Sequence, residues 1–166
     1  MNEHNYVSHA FAPVYNEHSR VLVLGTMPSP GSRKQGFYYS HPQNRFWKTL
    51  SAILREELPK TAQQKRELVL AHRIALWDVL KSCEITGASD ASIKNPVSNE
   101  LSIILKTADI QAIFATGRKA EQLYTRLCLP HTGIPIVYLP STSPAHRLYS
   151  DEQLAEKYAV ILPYLA

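Results

Sequence analysis

A chain of 166 residues with 45% hydrophobic and 19% charged side chains has the size and composition of one folded domain, able to bury roughly 70% of its unfolded surface. No apolar run approaches the roughly 20 residues of a membrane span, which excludes a helical membrane protein. The net charge of +4 suits a polyanionic partner without requiring one.

Met1 to Tyr15 is polar and lacks the apolar stretch of a secretion signal, so a cytoplasmic protein is expected, with 1–10 as a flexible N-terminal segment. Arg20 to Gly25 reads as a short buried strand, closed by Gly25 and the prolines Pro28 and Pro30. Gln43 to Leu58 carries Phe46, Trp47, Leu50, Ile53 and Leu54 near helical spacing. Thr61 caps a second predicted helix through about His72. Ile74 to Trp77 is a second strand, and Lys81 to Asn95 reads as an irregular polar segment. Ser98 is the expected cap of a helix containing Leu101, Ile104 and Leu105. Ile110 to Ala115 is a third strand, after which Gly117 opens a helix through Leu127. Ile134 to Leu139 is a fourth strand, and a last helix runs from about Asp151 toward Leu162.

Continuous apolar strands alternating with helices predict a three-layer α/β/α sandwich around a central, mostly parallel four-stranded sheet. Without a linker or repeat, 1–166 reads as a single domain. Open parallel sheets bind ligands at the carboxyl ends of their strands. Those ends are Gly25-Thr26-Met27-Pro28-Ser29, Trp77-Asp78, Ala115-Thr116-Gly117 and Pro140-Ser141-Thr142-Ser143-Pro144. The cations Arg33, Lys34, Arg45, Lys48, Lys94, Arg118, Lys119 and Arg147, with His146, fall in or beside predicted loops.

Cys83 and Cys128 are too few for a four-cysteine metal site and read as buried free thiols. The seven histidines show no metal-binding spacing, so no metal and no cofactor are expected. The segment from Gly36 to Lys48 concentrates aromatics, amides and cations, the groups that hold a nucleobase and its phosphates. Several of its residues also have plainer readings. Asn44 is a favoured helix cap, and Phe46 and Trp47 belong to the core. Asp78, Glu84 and Asp90, the carboxylates nearest the predicted rim, read as structural groups that cap helices or pair with Lys94.

Gly25-Thr26-Met27-Pro28-Ser29, the stretch Gly36 to Trp47 and the loop Leu139-Pro140-Ser141-Thr142-Ser143-Pro144-Ala145 together resemble the uracil-DNA glycosylase superfamily. Ala75 to Leu80 and Ser92 to Asn95 are similar to its deoxyinosine (hypoxanthine) branch, and the likeness runs from about Phe11 to Leu162. The departure is Met27, which stands where most superfamily members place an Asp or Asn that positions the attacking water. A thioether cannot take that role. The resemblance transfers it to Asn44, through its side-chain carbonyl. It also implies that Tyr39 stacks on the flipped base. Backbone N–H groups between Thr26 and Ser29, in the turn Gly25 to Ser29, would bind the base's carbonyl. Ser141, Thr142, Ser143, Pro144, His146 and Arg147 would meet DNA.

The implied activity is that of a monofunctional DNA glycosylase of base-excision repair acting on hypoxanthine. Uracil, xanthine or mismatched thymine are the alternative bases, and a noncatalytic DNA-binding domain is the alternative in kind. The implied partner is double-stranded DNA with a deaminated base, bound by a monomer without a membrane.

Overall fold

The computed structural model of the protein describes residues 5–8, 11–28, 32–33, 36–86 and 89–166. Four parallel strands form the central sheet: β2 (Val21–Gly25), β3 (Ile74–Asp78), β6 (Ala112–Thr116) and β7 (Ile136–Leu139), in the order β3-β2-β6-β7. Every residue of β2 and β3 is buried, as continuous apolar strands covered on both faces must be. The expected α/β/α sandwich is therefore the fold.

Helix α1 (Phe46–Leu54) packs against α6 (Asp151–Tyr158), and a closing 3₁₀ segment, Ala159–Leu165, rests on α1 and β2. Helix α2 (Ala62–Ala71) covers β3, and α4 (Arg118–Leu127) covers β6 and β7; α3 (Ser102–Leu105) and α5 (Leu129–Thr132) are single turns. Thr61 caps α2 with Gln64 in a reciprocal capping box. The helix expected over Gln43 to Leu58 is shorter at both ends. Arg55 adopts a left-handed conformation (φ 57°), and its N–H and that of Glu56 return to the Ala52 and Ser51 carbonyls, a stop that glycine more often makes. At the front, the Arg45 N–H leaves the helix for the Thr142 carbonyl (3.1 Å).

A second sheet corrects the expected irregular segment from Lys81 to Asn95. Strand β4 (Leu80–Ile85) lies between β1 (Asn5–Ser8) and β5 (Lys94–Ser98), antiparallel to both. Two register shifts in the β4–β5 ladder break the alternation by which a strand is recognised, and Pro96 is tolerated because β5 is an edge. Residues 5–8, expected in a flexible segment, are thereby paired into a sheet. Ser98 ends β5 rather than capping α3, which begins at Ser102. Cys83 and Cys128 are both buried, and burial, with the charge of Glu100 second, pushes the Cys128 thiol up to about 11. No helix among the described residues is long and apolar enough to cross a membrane.

Candidate active site

The carboxyl ends of β2, β3 and β6 meet at Gly25. A methyl group there would lie 2.5 Å from Asp78 Oδ1, 3.1 Å from the Tyr39 hydroxyl and 3.5 Å from Thr116 Oγ1. The lack of a side chain is what lets these three groups converge. Asp78 is 3% exposed and follows directly from the strand register that sets it beside Gly25. Read from sequence as a rim carboxylate with a structural role, it forms part of the site's floor.

The chain turns over this floor. The Gly25 and Thr26 carbonyls accept from the Val79 and Leu80 N–H groups (2.8 and 3.1 Å), so the turn is fastened to the start of β4. Pro28 has no N–H, which leaves Thr26 and Met27 as the described residues of the turn with a backbone donor to present. The Pro28 carbonyl accepts from Arg33 (3.0 Å). Met27 packs half-buried against the core, and Ser29 lies outside the described residues.

Tyr39 is built into the site from two sides. Its ring stacks on Phe46 at 3.9 Å between centroids and 15° between planes. Its hydroxyl lies 3.1 Å from Thr116 Oγ1, whose own proton goes to the Leu24 carbonyl (3.4 Å), so Tyr39 is the donor of that pair. Burial, and then the charge of Asp78, hold this phenol well above its ordinary pKa and keep it protonated. Tyr39 also has a positive φ of 51°, a conformation a bulky residue holds only when its surroundings enforce it. Phe37, Tyr38, Phe46 and Trp47 are all buried scaffold. The Trp47 indole donates to the Tyr38 carbonyl (2.9 Å) and the Tyr38 hydroxyl to the Ala12 carbonyl (2.9 Å).

Asn44 follows a turn closed by its own N–H on the His41 carbonyl (2.9 Å). Its side-chain Oδ1 accepts from the Phe46 N–H (2.9 Å) and from the Thr142 hydroxyl (2.8 Å). The capping reading is corrected: Arg45 occupies the cap position without a side-chain cap bond. Asn44, one residue earlier, closes a local turn on the Phe46 N–H while the same oxygen meets the second loop. The carbonyl expected to orient a water has both of its lone pairs occupied here.

The loop after β7 is held from beneath. The Tyr158 hydroxyl donates to the Pro140 carbonyl, and Arg45 donates to the Tyr149 (2.8 Å) and His146 (3.2 Å) carbonyls and to Asp151 (3.2 Å). Ser141 Oγ accepts from the Ser143 N–H and Ser143 Oγ from the Ala145 N–H, which leaves each hydroxyl proton for an outside acceptor. Thr142, expected among the DNA contacts, is turned inward at 2% exposure and faces Asn44. Pro144 and His146 are half-buried and Arg147 is exposed. His146 Nδ1 and Trp77 Nε1 are buried without a hydrogen-bond partner among the described residues. Leu148, which sequence reasoning passed over, is the most exposed large apolar residue of this loop at 73%. The signal was present: an isolated leucine between a cation and a tyrosine on a loop.

These contacts close a circuit. Tyr39 stacks on Phe46, Phe46 is bonded to Asn44, and Asn44 to Thr142. Ser141 lies against Gly117, which follows Thr116, and Thr116 meets the Tyr39 hydroxyl. One end of the sheet thus combines an aromatic face, an amide, hydroxyls and a basic loop. No cluster of His, Cys, Asp or Glu able to hold a metal occurs among the described residues.

The uracil DNA glycosylase superfamily profile matches residues 12–166. The chain is similar to a hypoxanthine DNA glycosylase of Methanosarcina acetivorans, at 33% identity over 156 residues covering 93% of this chain and 98% of the relative. It is also similar to a hypoxanthine DNA glycosylase of Methanosarcina barkeri, at 35% identity over 114 residues, 68% and 72% of the two chains. The solution NMR structure of a Methanosarcina acetivorans protein provisionally described as a uracil DNA glycosylase superposes with a TM-score of 0.80 at 30% identity, covering 95% of this chain and 98% of that one.

Proposed function

Because this chain belongs to the uracil DNA glycosylase superfamily, we propose that it is a monofunctional DNA glycosylase that hydrolyses the N-glycosidic bond of hypoxanthine in DNA. The observation that carries this reading is the circuit joining Tyr39, Asn44 and the Ser141–Ser143 loop at one end of the sheet. The likeness to relatives named hypoxanthine DNA glycosylases directs the choice of base.

A base inside a duplex is reached by flipping, which costs a few kcal/mol. Leu148 has the exposure and position of an apolar wedge that fills the vacated stack, flanked by Arg147 for the backbone. Ser141 and Ser143 donate hydroxyl protons to neighbouring phosphates. Tyr39 offers the flipped base the ring face opposite Phe46, a contact typically worth about 1–3 kcal/mol. Bond cleavage sends the C1′–N9 electron pair onto the base while a water oxygen bonds to C1′. The water gives up one proton, the base gains one, and an abasic sugar remains. With Met27 in place of a carboxylate or amide in the first turn, Asn44 is the catalytic residue. An amide cannot take a proton at neutral pH, so its contribution is positioning and charge stabilisation.

The direct test is a duplex with a single deoxyinosine, treated with alkali to reveal abasic sites, at protein excess. Strand breaks only after alkali are expected; none opposite any of the four bases would refute the reading. Parallel duplexes with uracil and with G:T mismatches test a second reading, favoured by the provisional description of the structural neighbour. Faster release of either base than of hypoxanthine would replace the first.

A further inference from the structure

Resting on the glycosylase reading, we propose that Thr142 is a positioning residue that fixes Asn44 as a hydrogen-bond donor, so that Asn44 acts through Nδ2 on the charge that develops on the leaving base. The orientation of the amide follows from its partners. The Phe46 N–H can only donate, so the atom 2.9 Å from it is the Asn44 carbonyl oxygen. A carbonyl oxygen only accepts, so the Thr142 hydroxyl, 2.8 Å away, is the second donor. Two lone pairs and two donors exhaust that oxygen. The remaining capacity of Asn44 is its amino group, whose two protons make no hydrogen bond to any described residue.

Thr142 holds this arrangement at two points. Its hydroxyl binds the Asn44 side chain, while its carbonyl accepts the Arg45 N–H at 3.1 Å. At 2% exposure it is removed from solvent, unlike Ser141 and Ser143 on either side. The loop from Pro140 to Tyr149 is further tied to the helix start by Arg45. Any displacement of this loop by DNA is therefore passed to the amide of Asn44, and the amide is set when the loop is seated. A fixed donor aimed at developing negative charge lowers a barrier more than one that must reorient first.

The experiment uses the full chain and single-turnover rates on a deoxyinosine duplex, with duplex affinity measured separately. Asn44→Asp keeps an oxygen for the Phe46 and Thr142 donors but has no N–H at neutral pH. It is expected to lose about 10²–10³-fold in rate, the same loss expected of Asn44→Ala. A rate for Asn44→Asp at or above wild type would mean that the residue serves as an acceptor, and would overturn the proposal. Thr142→Val is expected to slow the chemical step about tenfold or more with duplex affinity nearly unchanged, and Thr142→Ser to restore it. In the Asn44→Ala background Thr142→Val should have no further effect; an equal loss there would show that Thr142 acts independently of Asn44. A readout independent of turnover is the side-chain amide ¹⁵N–¹H pair of Asn44, identified by its disappearance in Asn44→Ala. Thr142→Val should shift or broaden that pair, and an unchanged pair overturns the positioning role even if wild type excises no base. Absence of wild-type activity on every duplex, with the pair shifted, would instead reject the glycosylase reading alone.

Discussion

Replacing Gly25 with alanine tests whether the floor of the site depends on the missing side chain. Gly25 does not have a left-handed φ, so alanine is acceptable to the backbone, and only the space around the new methyl group matters. That group would stand 2.5 Å from Asp78 Oδ1, and ordinary contact begins at 3.4 Å, so Asp78 must retreat by about 0.9 Å. The Tyr39 hydroxyl at 3.1 Å must also give slightly. Asp78 is buried at 3% exposure, so overpacking of about 1–3 kcal/mol is expected. Loss of glycine's unfolded-state freedom returns about 0.4–1 kcal/mol. The difference, a net loss of up to about 2.6 kcal/mol, lowers Tm by up to about 10 °C for a chain of this size. Because Asp78 and Tyr39 shift together, the single-turnover rate on a deoxyinosine duplex should fall about 10²-fold, the scale of a misplacement near 1 Å. Thermal melting and gel-resolved strand cleavage after alkali measure the two effects. A variant with wild-type Tm and rate would show that Gly25, Asp78 and Tyr39 do not form a packed floor.

Leu148→Ala should leave Tm within about 1 °C, because the side chain is 73% exposed, yet slow excision from duplex DNA about tenfold and much less from single strands. Equal losses on both substrates would refute the wedge. Arg45→Met removes the donors to the His146 and Tyr149 carbonyls, and faster amide hydrogen exchange across 143–149 is the expected result, with α4 unchanged. The Asp151 carboxyl, bonded to Lys48 and then Arg45, is held below the ordinary carboxylate pKa, so its contribution to stability is complete above about pH 3.9 and is lost as pH falls through its lowered folded value. Wild type should therefore melt above Asp151→Asn at pH 6, and the gap should close as the medium is acidified below pH 4. A gap that widens toward acid would contradict the pairing.

The parallel sheet was legible because three of its strands are buried on both faces and leave an unbroken apolar record: Val21 to Leu24, Ile74 to Trp77 and Ala112 to Ala115. The edge strand β7 is apolar although Val137 is exposed. Strands β1, β4 and β5 left no such record. In β4 the buried positions Leu80, Ser82, Cys83 and Ile85 are mixed in polarity and out of phase across the shifted register, and β5 contains Pro96. Their pairing depends on contacts between residues 5–8 and 82–85, which no local pattern reports. Asp78 escaped for a related reason. Its nearness to Gly25 follows from strand register, whereas along the chain it is only an acid after a tryptophan.

The candidate site shows the same division between chemistry and placement. That Tyr39, Asn44 and a hydroxyl-rich loop belong together was implied by the resemblance to the superfamily, since residue types alone made Asn44 a helix cap and the loop an ordinary turn. That Thr142 turns inward between Ser141 and Ser143 was not, since three adjacent hydroxyls give no sign of which one the fold will bury. Asn44 had seemed to require a choice between a helix cap and a catalytic group. The structure makes Arg45 the cap, while the two hydrogen bonds to Asn44 use its carbonyl oxygen and leave its amino group without a bond to any described residue. Aspartate would accept the same two hydrogen bonds but brings no donor, and serine or threonine keeps its donor on the accepting oxygen. Asparagine carries acceptor and donor on separate atoms of one planar group. Fixing the oxygen therefore aims the nitrogen, which on the proposed glycosylase reading is a physical reason for an amide at position 44 once position 27 is methionine.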